Sequence, residues 1–299
     1  MITSEINNQW EKCYLCESTR IRCLYKVENI FKCKECKFVF YKNIPSASEL
    51  NAVYSNYSRE EYITDISRAK IKAELEKILA DFKIESVLDI ACGECYYLDI
   101  LNEINPQLKL FATEHETAKE RILNKGHRFL DGEFFPRTEL KFDLIIFTEA
   151  IEHINDINEF LKHTNNLLNP NGLIYITTPN FSSVERFIMG RKWGMVIPPE
   201  HVSYFTYSTL HKTMNYNQFN KVFSYTENIS IFRIVEFLNK HLWFMQTHKR
   251  KDQSAQRISD QMQQASSTNY FLKKIKNFLN YALKKLNLGS SLKALYKKK

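Results

Sequence analysis

The chain has 299 residues, 44% of them hydrophobic and 25% charged, which suits one sizeable core with small additions better than two equal domains. That composition excludes collagen-like, mucin-like and prion-like sequence. No apolar run approaches the roughly 18 residues of a spanning helix, and the opening MITSEINNQWEKC has no basic-then-apolar signal, so the expected compartment is the cytoplasm. The net charge of +8 is local: residues 270–299 hold nine lysines and no acid, leaving the rest close to neutral. Such a body offers no basic surface for RNA or DNA, and no nucleic-acid partner is expected.

Seven cysteines in a cytoplasmic chain do not make a disulfide framework, because cellular thiol buffers keep them reduced. Metal binding is the better reading. Cys13-x2-Cys16 and Cys33-x2-Cys36 have the spacing of two knuckles closed by one tetrahedral zinc ion. The hairpin-like segments between them, 20–27 and 30–32, are too short for a core of their own, so ligation would supply the missing stability. Residues 1–45 are expected to form this zinc-binding module, with Cys23 off the pattern as a small packed residue. Residues 46–84 read as a helical linker with Ile66, Ala69, Leu75, Ile78, Leu79 and Phe82 on a helical period.

From 85 the pattern changes to short apolar strands alternating with amphipathic helices, which predicts an α/β fold with a doubly wound, mainly parallel sheet. Strands are expected at 86–91, 108–114, 128–131, 143–148 and 173–178. A helix over 208–219, a strand near 222–226 and a basic amphipathic helix near 270–288 follow. The main domain is expected to span 85–229 and 289–299, with a helical insert at 230–288. In that insert Phe271, Ile275, Phe278, Leu279, Ala282 and Leu286 oppose five lysines. The stripe either packs on the domain or lies on an anionic membrane, and the sequence leaves both open.

The chemistry concentrates after the first predicted strand, in VLDIACGECYYL at 87–98. A loop opening onto a helix at the C-terminal edge of such a sheet lets backbone amides approach a ligand. Gly93 alone remains of any glycine pattern, so this is not the dinucleotide fingerprint. Asp89 at the strand end and Glu114 at the next strand end favour a different nucleoside-bearing cofactor, since a carboxylate can accept two ribose hydroxyls. Cys92-x2-Cys95 also has dithiol spacing, but the acids Asp89 and Glu94 argue against thioredoxin-like catalysis, and no further cysteines remain for a second zinc site.

The run VLDIACGECYYL resembles the first motif of class I S-adenosylmethionine-dependent methyltransferases, usually LDIGCGTG, with Ala91 and Cys95 in place of two glycines. LFATEHE, FDLIIFTEAIEHINDINEFL and LLNPNGLIYITTPN resemble the family's later motifs in order, together covering 86–180. The resemblance implies a Rossmann-like fold in which Ala91, Cys92 and Gly93 line the methionine part of the cofactor. It further implies that Glu114 takes the ribose, that Asp131 lies near the adenine, and that Thr148 and Glu149 close the pocket floor. The cysteine leader and WGMVIPPEHVSYFTYSTL are similar to bacterial methyltransferases of cell-surface polysaccharide and sugar pathways, which implies a sugar or sugar-like acceptor. By likeness to sugar C-methyltransferases, His201 would be the general base with Glu200 orienting it or binding the acceptor, and His153 is the next candidate. Glu152-His153, on the helix expected after the fourth strand, has a capping or packing role as its alternative. LGSSLKALYKKK is similar to the family's last strand, which pairs antiparallel. Two other functions fit the same motifs: a ribosomal-RNA base methyltransferase with a zinc module, and a non-catalytic cofactor-binding scaffold.

Overall fold

The computed structural model describes residues 10–46, 49, 64–229, 231–243, 281 and 283–299. The leader contributes β1 (Ile21–Tyr25), β2 (Ile30–Cys33) and β3 (Val39–Tyr41), antiparallel neighbours in that order. Their fourth partner comes from far along the chain: β9 (Ser203–Tyr204) pairs with β3 through Val39↔Tyr204 and Phe40↔Ser203. Cys23 is exposed rather than packed, because its strand is at the edge of this small sheet.

The described part of the expected linker is mainly helical. α1 (Asp65–Asp81) starts at Thr64, whose side chain caps the Ser67 amide. Ile71, Leu75 and Ile78 form its buried face, at i, i+4 and i+7. Ile66, counted in the periodic stripe, is 74% exposed, because it lies in the first turn ahead of that face. The expected helix over 46–63 falls outside the described residues apart from positions 46 and 49.

The main sheet has seven strands in the order β10-β11-β8-β7-β4-β5-β6. These are β4 (Ser86–Ile90), β5 (Lys109–Thr113), β6 (Arg128–Phe129), β7 (Phe142–Thr148), β8 (Leu168–Pro179), β10 (Phe219–Glu227) and β11 (Ser291–Lys298). Only β11 is reversed, inserted antiparallel between β8 and β10. β6 ends at Phe129, so Asp131 lies in the loop beyond it. β8 is longer than expected: the turn at Asn169–Gly172 is an excursion within the strand, with Phe142↔Leu168 followed by Leu144↔Leu173. A Cβ at Gly172 would lie 2.9 Å from the Asn169 carbonyl oxygen, so only glycine fits there.

Both faces of the sheet are covered, which is why its strands read as continuous apolar runs. Val87, Leu144 and Ile146 face α1, α2 (Tyr96–Ile104) and α3 (Lys119–Asn124). Leu88, Ile145 and Phe147 alternate to the other face, against α4 (Ile157–Leu167) and α6 (Tyr207–Tyr216). Tyr14, Phe38 and Phe40 of the leader pack in this second core. The short α5 (Val184–Met189) leads towards β9, and α7 (Ile231–Trp243) follows β10. No described helix is long and apolar enough to cross a membrane. Of the basic stripe at 270–288, Phe271, Ile275, Phe278, Leu279 and Ala282 lie outside the described residues, while Leu286 is 65% exposed.

Candidate active site

The sheet's order reverses at β4, which has β5 on one side and β7 on the other. In open α/β sheets ligands bind at such a switch point, beyond the C-terminal strand ends. The loop from β4 to α2 occupies this place. Ala91, Gly93 and Cys95 have φ of 54°, 53° and 60°, so every second residue of the loop is left-handed and the backbone turns tightly. A Cβ built on Gly93 meets nothing within 4 Å, so open space lies against the loop there.

Neighbouring strand ends hold the loop. The Ala91 and Cys92 amides donate to the Thr113 hydroxyl (3.3 Å) and carbonyl (3.0 Å), and the Gly93 amide donates to the Glu114 carboxylate at 2.8 Å. From α3 Arg121 donates to the Gly93 carbonyl at 3.0 Å, and Lys125, which caps the C-terminus of that helix, donates to the Glu94 carbonyl at 2.5 Å. Below the loop Asp89 is 1% exposed, with Oδ1 buried and unpartnered among the described residues. Burial holds its carboxyl well above the usual range, with Cys95 and Glu114 adding to the shift. Glu133, whose carbonyl accepts from Thr113, is pushed up to about 7 by burial and by Glu114. Thr148 ends β7, and the exposed Glu149 beside it accepts from the Thr177 hydroxyl at 2.9 Å. Asp131 is exposed, and its carbonyl accepts from the Arg137 amide.

A second group forms beyond β7. Residues Ile151–His153 are a 3-10 turn, not the start of a helix, and the cap of α4 is Asp156. This turn buries Glu152 at 2% exposure; one carboxylate oxygen accepts from the Thr178 hydroxyl at 2.9 Å and the other has no partner among the described residues. Burial, then the nearby Glu149, raises its pKa well above the ordinary value. His153 Nδ1 lies 2.8 Å from the Glu200 carbonyl, and His201 Nδ1 lies 2.9 Å from the Met195 carbonyl. A carbonyl can only accept, so each ring carries a proton on Nδ1, and in its neutral form the lone pair is on Nε2. The rings stand edge to face at 4.8 Å. One ligand atom from each of Glu152, His153 and His201 lies within 4.8 Å of the others, a donor set suited to acid-base work or to a divalent ion. The Val202 amide donates to the Glu152 carbonyl at 2.9 Å, tying the two segments together.

A family model for the methyltransferase domain matches residues 61–223. The chain belongs to this methyltransferase family. Among relatives, the ubiquinone biosynthesis O-methyltransferase of Pelagibacter ubique is 31% identical over 127 residues, covering 37% of this chain and 52% of that protein. The protein of the same name from Bartonella tribocorum is 27% identical over 156 residues, covering 50% of this chain and 58% of its own length. The chain thus spans little more than half the length of these relatives. Among solved structures, a plantazolicin methyltransferase bound to S-adenosylhomocysteine aligns with a TM-score of 0.50 at 18% identity, over 83% of this chain and 89% of that one. A coclaurine N-methyltransferase aligns with the same TM-score of 0.50 at 14% identity, over 81% and 74%. These likenesses show the fold.

The leader of this methyltransferase-family chain carries matching turns. Cys13 and Cys33 each donate their amide to the carbonyl five residues on, at 2.9 and 2.8 Å, and Glu17 and Lys37, four residues on, are left-handed. The turns face each other with Sγ separations of 3.7 Å for Cys13 and Cys36 and 3.6 Å for Cys16 and Cys33. Tyr14 bridges leader and active site, its hydroxyl 2.6 Å from the Ser203 hydroxyl. Sequence reasoning passed over Tyr14, Thr178, Met195 and Glu133. A signal existed for Glu133 alone, an acid just beyond the third predicted strand.

Proposed function

We propose that the chain transfers a methyl group from S-adenosylmethionine to a sugar or sugar-like acceptor, with His201 as the general base. The observation that carries this reading is the meeting of Glu152, His153 and His201 at the strand edge that also holds the left-handed β4–α2 loop. The loop residues fit the cofactor: open space against Gly93, the orphaned oxygen of buried Asp89 and the acid of Glu114 suit a nucleoside with a charged amino-acid tail. When bound, the cofactor supplies an electrophilic methyl group on sulfonium sulfur. Ala91, Cys92 and Gly93 would hold its methionine part, Glu114 its ribose and Asp131 its adenine side, with Thr148 and Glu149 at the pocket floor.

The chain's own residues align the acceptor, exclude water and take up its proton. A sugar hydroxyl, or a carbon beside a carbonyl, must lose a proton as it attacks, and a neutral imidazole Nε2 suits that role near neutral pH. His153 stands against His201 to share or relay the charge, and Glu200 supplies the carbonyl that orients it. The four-cysteine cluster is read as a structural zinc site, because tetrahedral thiolates about 2.3 Å from zinc lie about 3.8 Å apart, close to the separations found.

Turnover of His201→Ala should fall about 10²- to 10⁴-fold with fold and cofactor affinity retained. Near-normal turnover would move the base to His153. The names of the relatives favour a second reading, O-methylation of a phenolic acceptor. Radiolabelled cofactor offered with separate pools of nucleotide- or lipid-linked sugars and of phenols decides between them, and label found only in phenols would reject the sugar.

A further inference from the structure

The β4–α2 loop contains a feature that methyl transfer does not use. Cys92 and Cys95 place their sulfur atoms 3.3 Å apart. The Cys95 amide donates to the Cys92 carbonyl at 2.9 Å, so a backbone turn holds the pair together. Cys95 is left-handed at φ 60°, where a non-glycine residue costs about 1 kcal/mol or more. The cost is carried by a side chain whose sulfur is turned onto a second thiol. Cys95 is fully buried at the N-cap of α2, whereas Cys92 is half-buried.

We propose that Cys92 and Cys95 form a reversible disulfide that gates S-adenosylmethionine binding at this loop. The inference rests on the placement of the cofactor there. The facing Cys92 S–H lowers the Cys95 thiol below its ordinary value, and Lys125 and Arg121 nearby lower it further. The Cys92 thiol is raised by the same contact. A small-molecule disulfide reaches the half-buried Cys92 first, forming a mixed disulfide and releasing one thiol. The Cys95 thiolate then attacks the Cys92 sulfur and expels the second thiol, so two protein thiols are oxidised and one external disulfide is reduced.

Closure draws the sulfurs from 3.3 Å to a bond of about 2 Å. It pulls against Gly93, which is fixed at its amide by Glu114 and at its carbonyl by Arg121. The backbone that contacts the cofactor therefore shifts. By linkage, a cofactor that prefers the dithiol also protects it from oxidation.

The test uses the full chain with its metal, treated with oxidised glutathione and then with dithiothreitol. Peptide mass mapping should find a Cys92–Cys95 bridge two hydrogens lighter than the dithiol. Calorimetric affinity for S-adenosylhomocysteine should fall at least tenfold on oxidation and return on reduction, and saturating S-adenosylhomocysteine should slow bridge formation. The affinity of Cys92→Ser, which leaves only the fully buried Cys95 in the loop and so captures no oxidant there, should not respond to it. Absence of the bridge, or a bridge without an affinity change, would overturn the gate. Equal oxidant sensitivity in Cys92→Ser would assign the effect to cysteines outside the loop and likewise reject it. Reduced protein that binds no S-adenosylhomocysteine would remove the cofactor assignment and the gate together.

Discussion

Three side chains around the β4–α2 loop lead to separate measurements. Glu114 accepts from the Gly93 amide and is the acid assigned to the ribose, so Glu114→Ala should weaken S-adenosylhomocysteine binding about tenfold to a hundredfold, or about 1.5–3 kcal/mol. Unchanged calorimetric affinity would take it out of the site. Ala91 carries a methyl group at φ 54°, where glycine is unstrained. Ala91→Gly should therefore raise unfolding stability by about 1 kcal/mol in urea titration, against the loss expected at an ordinary position. Glu133 holds its proton to about 7 in the folded chain, against 4.5 ordinarily. Between those values the folded state binds more protons than the unfolded state, so this group's stabilising contribution declines as pH rises from 4.5 through 7. Glu133→Gln should flatten the pH dependence of denaturation over that window, and an unaltered slope would show that Glu133 titrates normally. The loop acids and the four leader cysteines were legible because motif spacing is local. The burial of Glu152 and the pairing of His153 Nδ1 with the Glu200 carbonyl were not, since both depend on a segment 47 residues away folding back over the turn.

At the scale of elements, the strands of the parallel sheet were legible because burial on both faces makes them unbroken apolar runs. The pairing of β3 with β9 was not. Two-residue Ser203–Tyr204 has no periodicity to read, and its register is set by contacts with the leader. That pairing joins the four-cysteine cluster to the proposed base, since the Tyr41 amide donates to the Val202 carbonyl, next to His201, at 2.8 Å. Stripping the proposed zinc with a chelator, or making Cys33→Ser, should speed hydrogen exchange at Tyr41 and Tyr204, the amides on the hydrogen-bonded positions of this pairing, while the amides of β7 stay protected. Turnover should fall with it. Unchanged exchange at Tyr204 would mean that β9 stands without the knuckles.

Across the whole molecule, the leader read as a separate small module, and 1–45 remains the proposed boundary. Its aromatic residues Tyr14, Phe38 and Phe40 nevertheless share a core with Leu88, Ile145 and Phe147 of the main sheet. Aromatics in a short cysteine segment read equally well as local packing, so sequence could not reveal a shared core. The arrangement has a consequence for the order of assembly during synthesis. The knuckles are made early, but β3 must wait for β9, 163 residues later along the chain by Phe40↔Ser203. At roughly 5–20 residues per second the interval is on the order of ten to thirty seconds. During it the edge of β3 and the apolar faces of Phe38 and Phe40 stand uncovered on the nascent chain, with the proposed metal ligation alone to keep the two turns in register until the sheet arrives.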